Sequence, residues 1–276
     1  EAVTFSHCVP TVLSMLLDHP NSQKVNLSRW KVIIGGSALS KSLLSRASKL
    51  GIRLHTAYGM SETCPFLTVA DLSSTDPDTQ SQTGFPGPLV DLRVVTPDMH
   101  DVPNDGESTG EIVVKAPWLT KGYMGNPDAS KDLWRNEYLH TGDVGYIREN
   151  GSLQVTDRLK DVIKTGGEWI SSLTLENIAL AYSGIEEVAA IGMPNEKWGE
   201  RAVLVAKLMN NAEPDLVRQD LMRKFREHVE LGEISKWAIP NHIFFVEQLP
   251  KTSVGKLDKK AIRKNVFTLK DISNDR

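Results

Sequence analysis

Three β-branched residues in a row, Val32-Ile33-Ile34, run straight into Gly35-Gly36. A short apolar run that stops at paired glycines reads as a buried strand followed by a tight loop. Ser40 then suits the N-cap of a helix over Lys41–Leu50, Gly51 suits its stop, and Ile52–Ala57 returns as a second strand. Two strands joined by a helix define a parallel α/β unit. Upstream, Val12, Leu13, Leu16 and Leu17 give Pro10–Asp18 helical spacing.

The pattern changes after about Thr83. Proline and glycine become frequent and short alternating runs follow, such as Asp91–Val95 and Glu111–Val114, with hairpin-type turns at Asp105-Gly106 and Asn150-Gly151. This stretch predicts a β-rich subdomain. From about Asp157 it changes again: Val188–Ile191, Ala202–Leu208 and Ile243–Val246 read as strands, Leu216–Val229 as an amphipathic helix, and a lysine-rich tail follows. That is enough for a small α+β domain.

Composition excludes more than it selects. A net charge of −3 over 276 residues gives no reason to expect nucleic acid as a partner. The two cysteines, Cys8 and Cys64, form neither a disulfide scaffold nor a CxxC metal site, and read as small packed hydrophobes. No apolar run is long enough for a transmembrane segment. The opening Glu1-Ala2-Val3-Thr4-Phe5 carries no initiator Met and no signal pattern, so the chain is expected to be a piece of a longer protein.

Four polar, glycine-marked segments stand apart from the core-forming runs. Gly35-Gly36-Ser37 lets a flat or anionic ligand approach the backbone at a strand end, or is simply a tight turn. In Tyr58-Gly59-Met60-Ser61-Glu62, a hydroxyl and a carboxylate can hold a phosphate and Mg²⁺; alternatively Ser61 caps the next helix. In Thr141-Gly142-Asp143-Val144-Gly145, an acid in a glycine turn can accept ribose hydroxyls, or form an Asx-turn. Asp157-Arg158-Leu159-Lys160 and Gly166-Gly167-Glu168 follow soon after. Finally, Lys256, on a glycine-bearing loop, is either a solvated charge or a cation that neutralises charge developing between a carboxylate and a phosphate.

The order and spacing of these segments resemble the adenylate-forming acyl-CoA synthetases, from the first residues to about Lys264. Gly167-Glu168-Trp169-Ile170-Ser171-Ser172, Glu196-Lys197-Trp198-Gly199-Glu200 and Gly232-Glu233-Ile234-Ser235-Lys236-Trp237 are similar to the bacterial-type medium-chain fatty-acid–CoA ligases within that superfamily. The resemblance implies the C-terminal portion of a large α/β lobe with a β-subdomain, residues 1–159, then a small mobile α+β lid, residues 160–276, hinged near Lys160. It implies an enzyme, an ATP-dependent acid–CoA ligase using ATP/AMP, Mg²⁺ and coenzyme A on a carboxylic acid, namely a medium- or long-chain fatty acid. Gly35, Gly36 and Ser37 would border the adenine and Tyr58 would stack on it, within the turn that continues through Gly59 and Met60. Ser61 would contact the α-phosphate and Glu62 would bind magnesium. Asp143 and Arg158 would hold the ribose, and Lys256 would bridge the acid and the α-phosphate. After the lid swings about Lys160, Gly166, Gly167 and Glu168 would line the pantetheine tunnel, with Trp169 at its flank. Trp169 and Trp198 also read as packing residues.

One family feature is absent: the Ser/Thr/Gly-rich phosphate loop ending in a Pro-Lys-Gly-type turn. Without it the 276 residues alone are expected to be inactive. A short-chain, aryl or sulfur-containing acid, a carrier-protein acceptor, and a non-catalytic nucleotide-binding module are the rival readings. Ala57, Met60 and Cys64-Pro65-Phe66-Leu67 could line an acyl pocket or belong to the core. Dependence on ATP and CoA, with no export signal, points to the cytoplasm.

Overall fold

A computed structural model of the protein describes residues 3–36, 39, 41–72, 83–252 and 257–273. Ser37, Ser40 and Lys256 lie outside them. The chain divides into two compact units, Glu1–Val155 and Thr156–Arg276.

The first unit holds one sheet and most of a second, whose strand Leu153–Arg158 runs on past Val155. The first has the order β1 (Phe5–Cys8), β2 (Lys31–Ile34), β3 (Arg53–Tyr58), β4 (Thr68–Asp71), β5 (Phe85–Pro86). β1, β2 and β3 are parallel, while β4 runs antiparallel to β3. Helices α1 (Pro10–Asp18) and α2 (Lys41–Lys49) make the crossovers. Pro10 starts α1 where its missing N–H costs nothing, and Leu13 and Leu17, one turn apart, are buried. Leu43, Leu44 and Ala47 of α2 join them over Val32, Ile34 and Leu54. Gly51 ends α2 with φ +74, a conformation that favours glycine.

The second sheet has the order β10 (Leu153–Arg158), β9 (Tyr138–Ile147), β7 (Gly110–Lys115), β6 (Asp91–Val95), with β8 (Trp134–Arg135) beside β9. Helix α3 (Pro127–Leu133) leads into β8, capped by Asn126, whose side chain accepts the Ala129 N–H. Asp143, expected in a turn, lies inside the ten-residue strand β9. Gly142 has φ +67, and the β7–β9 register slips between Glu111 and Val113, so the local irregularity is a bulge rather than a chain reversal.

The second unit is built on one sheet, β12 (Glu168–Ile170), β11 (Ile163–Thr165), β14 (Gly199–Leu208), β13 (Ile185–Asn195), with β15 (His242–Phe245) parallel to β14. Strand alternation sends Val188, Ala190, Leu204 and Ala206 to one core and Ala189, Ile191, Val203 and Val205 to another. The first core is closed by α4 (Ser172–Leu180) and α5 (Pro214–Glu230), through Leu175, Val217, Leu221 and Phe225. The second is closed by α6 (Lys259–Ser273), through Ile262 and Val266. Gly166-Gly167, expected as a loop, is the two-residue turn of the β11–β12 hairpin, with φ +59 and +89. Glu168 and Trp169 lie in β12. Among the described residues no helix is long and apolar enough to cross a membrane.

Candidate active site

In the first unit, parallel pairing sets Ile34 opposite Thr56, so β2 ends two residues short of the end of β3 at Tyr58. A side chain on Gly35 would lie 3.4 Å from the Ala57 carbonyl, so this backbone runs bare beside the residue that precedes Tyr58. Gly59 has no such latitude. A Cβ there would fall 1.6 Å from the Pro65 carbonyl, so the loop between β3 and β4 closes only over glycine.

Thr63, fully buried, pins that loop. Its hydroxyl accepts the Met60 N–H at 2.9 Å and lies 2.8 Å from the Pro65 carbonyl. The Leu67 N–H closes the loop onto the Tyr58 carbonyl at 2.7 Å. The result is a 3₁₀ turn over Ser61–Thr63 rather than the start of a helix, with Ser61 exposed and Glu62 half-buried. Cys64, expected to be packed, is exposed at φ 54.

Asp143 is brought to this turn from β9. Thr141 donates its hydroxyl to the Ile112 carbonyl at 2.7 Å, and the same oxygen accepts the Asp143 N–H at 3.1 Å. The Tyr58 hydroxyl donates to Asp143 Oδ2 at 2.8 Å. Sequence reasoning passed over a third contributor, Tyr123. Its hydroxyl donates to Glu62 Oε1 at 2.6 Å, and the carboxylate's hold on that proton pushes the phenol pKa up to about 12. The Thr120 N–H reaches the Glu62 carbonyl at 2.9 Å, tying the same two segments a second time. On β9 a buried pair also went unread: His140 Nδ1 lies 2.9 Å from Glu111 Oε2.

The second unit carries the remaining candidates. Arg158 and Lys160 are exposed. Buried Asp157, near the end of β10, accepts the Arg158 N–H at 2.7 Å and caps the start of α4 by accepting the Ser172 N–H. Arg263 of α6 donates to the Lys160 carbonyl at 3.2 Å and to Asp161 Oδ1 at 3.3 Å. One turn earlier, Lys259 pairs with Glu176 of α4 at 2.7 Å and donates to Ser172 Oγ at 2.6 Å. Burial pushes the Glu176 carboxyl up, with Lys259 pulling the other way. The Gly166 N–H donates to the Trp198 carbonyl at 2.9 Å, and the Trp198 and Trp237 ring centroids are 4.4 Å apart. Lys164 lies 5.6 Å from the Trp169 ring centroid, within cation–π range.

Known proteins resemble both units. Residues 1–124 match the AMP-binding enzyme family and residues 174–256 match the AMP-binding enzyme C-terminal domain. A long-chain-fatty-acid–CoA ligase of Thermus thermophilus is 36% identical, over 95% of this chain and 49% of its own. A 3-methylmercaptopropionyl-CoA ligase of Ruegeria lacuscaerulensis is 34% identical, over 95% and 49%. Among solved structures, the amide bond synthetase McbA from Marinactinospora thermotolerans superposes with a TM-score of 0.78 at 26% identity, over 95% of this chain and 52% of that one. The chain thus spans about half the length of the curated relatives it matches. One match falls in each unit, and the chain belongs to the AMP-binding enzyme family.

Proposed function

We propose that this chain supplies the adenosine-binding and thiol-accepting part of an ATP-dependent acid–CoA ligase acting on medium- or long-chain fatty acids. The observation that carries the reading is the Tyr58–Asp143 hydrogen bond, 2.8 Å long. It anchors the tip of an aromatic ring and sets a carboxylate beside it, which is what a nucleoside requires: a face to stack on and an acceptor for ribose hydroxyls. Gly35 and Gly36 supply a bare backbone edge at the neighbouring strand end, with Ser37 beside them in sequence. The exposed Ser61 hydroxyl, on the turn that Gly59 and Met60 form, serves the α-phosphate.

In the first half-reaction a carboxylate oxygen of the acid attacks the α-phosphorus as the bond to pyrophosphate breaks. In the second, the CoA sulfur attacks the acyl carbon and AMP departs. Arg158 as the second ribose ligand, Lys256 at the acid and α-phosphate, the pivot at Lys160, and Gly166, Gly167, Glu168 and Trp169 at the thiol are assigned on the family resemblance. Glu62 suits a magnesium ion. Mg²⁺ binds through one or two carboxylates and completes its shell with phosphate oxygens and water. Bound there, it would neutralise phosphate charge. The fatty-acid assignment follows the Thermus relative; the Ruegeria relative makes a sulfur-containing acid the alternative. Use of ATP and CoA is compatible with a cytoplasmic reaction.

The reading is tested by titrating the chain calorimetrically with acyl-sulfamoyl adenosines, stable mimics of the acyl-adenylate. Affinity should rise from butyryl towards dodecanoyl by roughly fourfold for each methylene that is buried, since each is worth about 0.8 kcal/mol. Absence of binding would remove the nucleotide reading. Tighter binding of methylthiopropionyl or aryl mimics would move the substrate class.

A further inference from the structure

Glu62 has one of its two carboxylate oxygens committed. Tyr123 donates to Oε1 at 2.6 Å, and among the described residues no other side chain or backbone group bonds that carboxylate. The donor is itself held. The Tyr123 N–H donates to Ser130 Oγ at 2.8 Å, and the Trp134 indole N–H donates to the Thr120 carbonyl at 2.9 Å. A side chain on Gly122 would fall 2.7 Å from Ser130 Oγ, so the loop lies directly against α3. The backbone that carries Tyr123 is therefore held against α3, and its partly exposed ring reaches Glu62 from that fixed base.

We propose that Tyr123 is a positioning residue that sets the cation preference of Glu62: with Oε1 tied, the carboxylate offers a divalent ion Oε2 alone. The inference rests on the nucleotide reading above and adds a residue and a selectivity to it. The physical basis is coordination geometry. Mg²⁺ demands near-octahedral, short, single-oxygen contacts, whereas Ca²⁺ is larger and accepts a carboxylate through both oxygens. A tyrosine on one oxygen hinders two-oxygen chelation and leaves the single-oxygen mode intact. It also fixes the glutamate rotamers in advance, so less side-chain freedom is lost when the ion and its nucleotide arrive.

The test compares Mg²⁺ and Ca²⁺ affinities of the chain with saturating ATP present, by calorimetry, with Mn²⁺ paramagnetic resonance as a direct count of bound ion. The wild type should favour Mg²⁺. Tyr123→Phe should weaken Mg²⁺ about five- to tenfold while leaving Ca²⁺ unchanged or tighter. In a Glu62→Gln background the same substitution should have no effect on either ion, because the coupled partner is gone. Metal-free AMP affinity serves as the folding control and should stay within about twofold. Equal loss of both ions, no loss, or the same loss in the Glu62→Gln background would overturn the proposal while leaving nucleotide binding intact. A wild-type chain that binds neither AMP nor ATP would overturn the nucleotide reading, and this one with it.

Discussion

The Tyr58 hydroxyl donates to Asp143 Oδ2 at 2.8 Å, joining the end of β3 to the middle of β9. If the pair holds a nucleoside, its two members should fail differently. Asp143→Ala removes a charged acceptor and should weaken AMP binding by more than about tenfold, the scale of one charge-assisted hydrogen bond. Tyr58→Phe keeps the ring and should cost only a few-fold. Tyr58→Ala loses the stacking face and should approach the Asp143→Ala value. Calorimetric AMP titrations of the three variants check the order.

Two glycines near the nucleotide residues make opposite predictions for stability. Gly59→Ala places a methyl 1.6 Å from the Pro65 carbonyl, so the β3–β4 loop must open. A loss of about 2–3 kcal/mol, the cost of overpacking, is expected. Gly35→Ala meets only ordinary neighbours, at 3.4 and 3.6 Å, and should change stability by less than about 1 kcal/mol. Urea unfolding of both variants measures the difference.

The Lys259–Glu176 pair makes the second unit sensitive to pH. Burial raises the folded pKa of Glu176 above its unfolded value, so its contribution is fully present below the unfolded pKa and is lost as pH rises through the folded one. Lys259 counters that loss. Lys259→Met should destabilise the unit by about 3 kcal/mol near pH 7.5, and by much less near pH 4, below the ordinary glutamate range, where the carboxyl is largely protonated. Replacing both residues by Met should recover most of the loss, since a packed apolar pair leaves no orphaned charge. Thermal melts at the two pH values separate the cases.

Elements governed by local pattern were legible in the sequence. The spacing of Leu13 and Leu17 marks α1, and Asp91–Val95 is a strand as its alternation requires. Features governed by distant partners were not. Asp143 sits between glycines and so reads as a turn, but Gly145 is a strand residue: a side chain there would fall 2.4 Å from the Gln154 carbonyl on the neighbouring strand, and only tertiary pairing reveals that. Tyr123 meets Glu62 across 61 residues, and its one local signal is the glycine-aromatic pair Gly122-Tyr123. Helix α6 was readable and was missed. Ile262 and Val266 recur one turn apart, but the lysines around them made the segment look like a solvated tail.

The chain contains no Ser/Thr/Gly-rich phosphate loop of the kind the family resemblance calls for. Exchange of radiolabelled pyrophosphate into ATP by the 276 residues alone should therefore be at background, even where AMP binds. Exchange at an ordinary enzymatic rate would show that the described turns hold the β- and γ-phosphates unaided.

The location of adenine on the first unit can be read directly by photolabelling with 8-azido-AMP, followed by peptide mapping. Label on Tyr58–Ser61 or Gly35-Gly36, competed by AMP and lost in Asp143→Ala, is the result expected. Competable label concentrated on any other segment of the chain, with those two clean, would contradict the account.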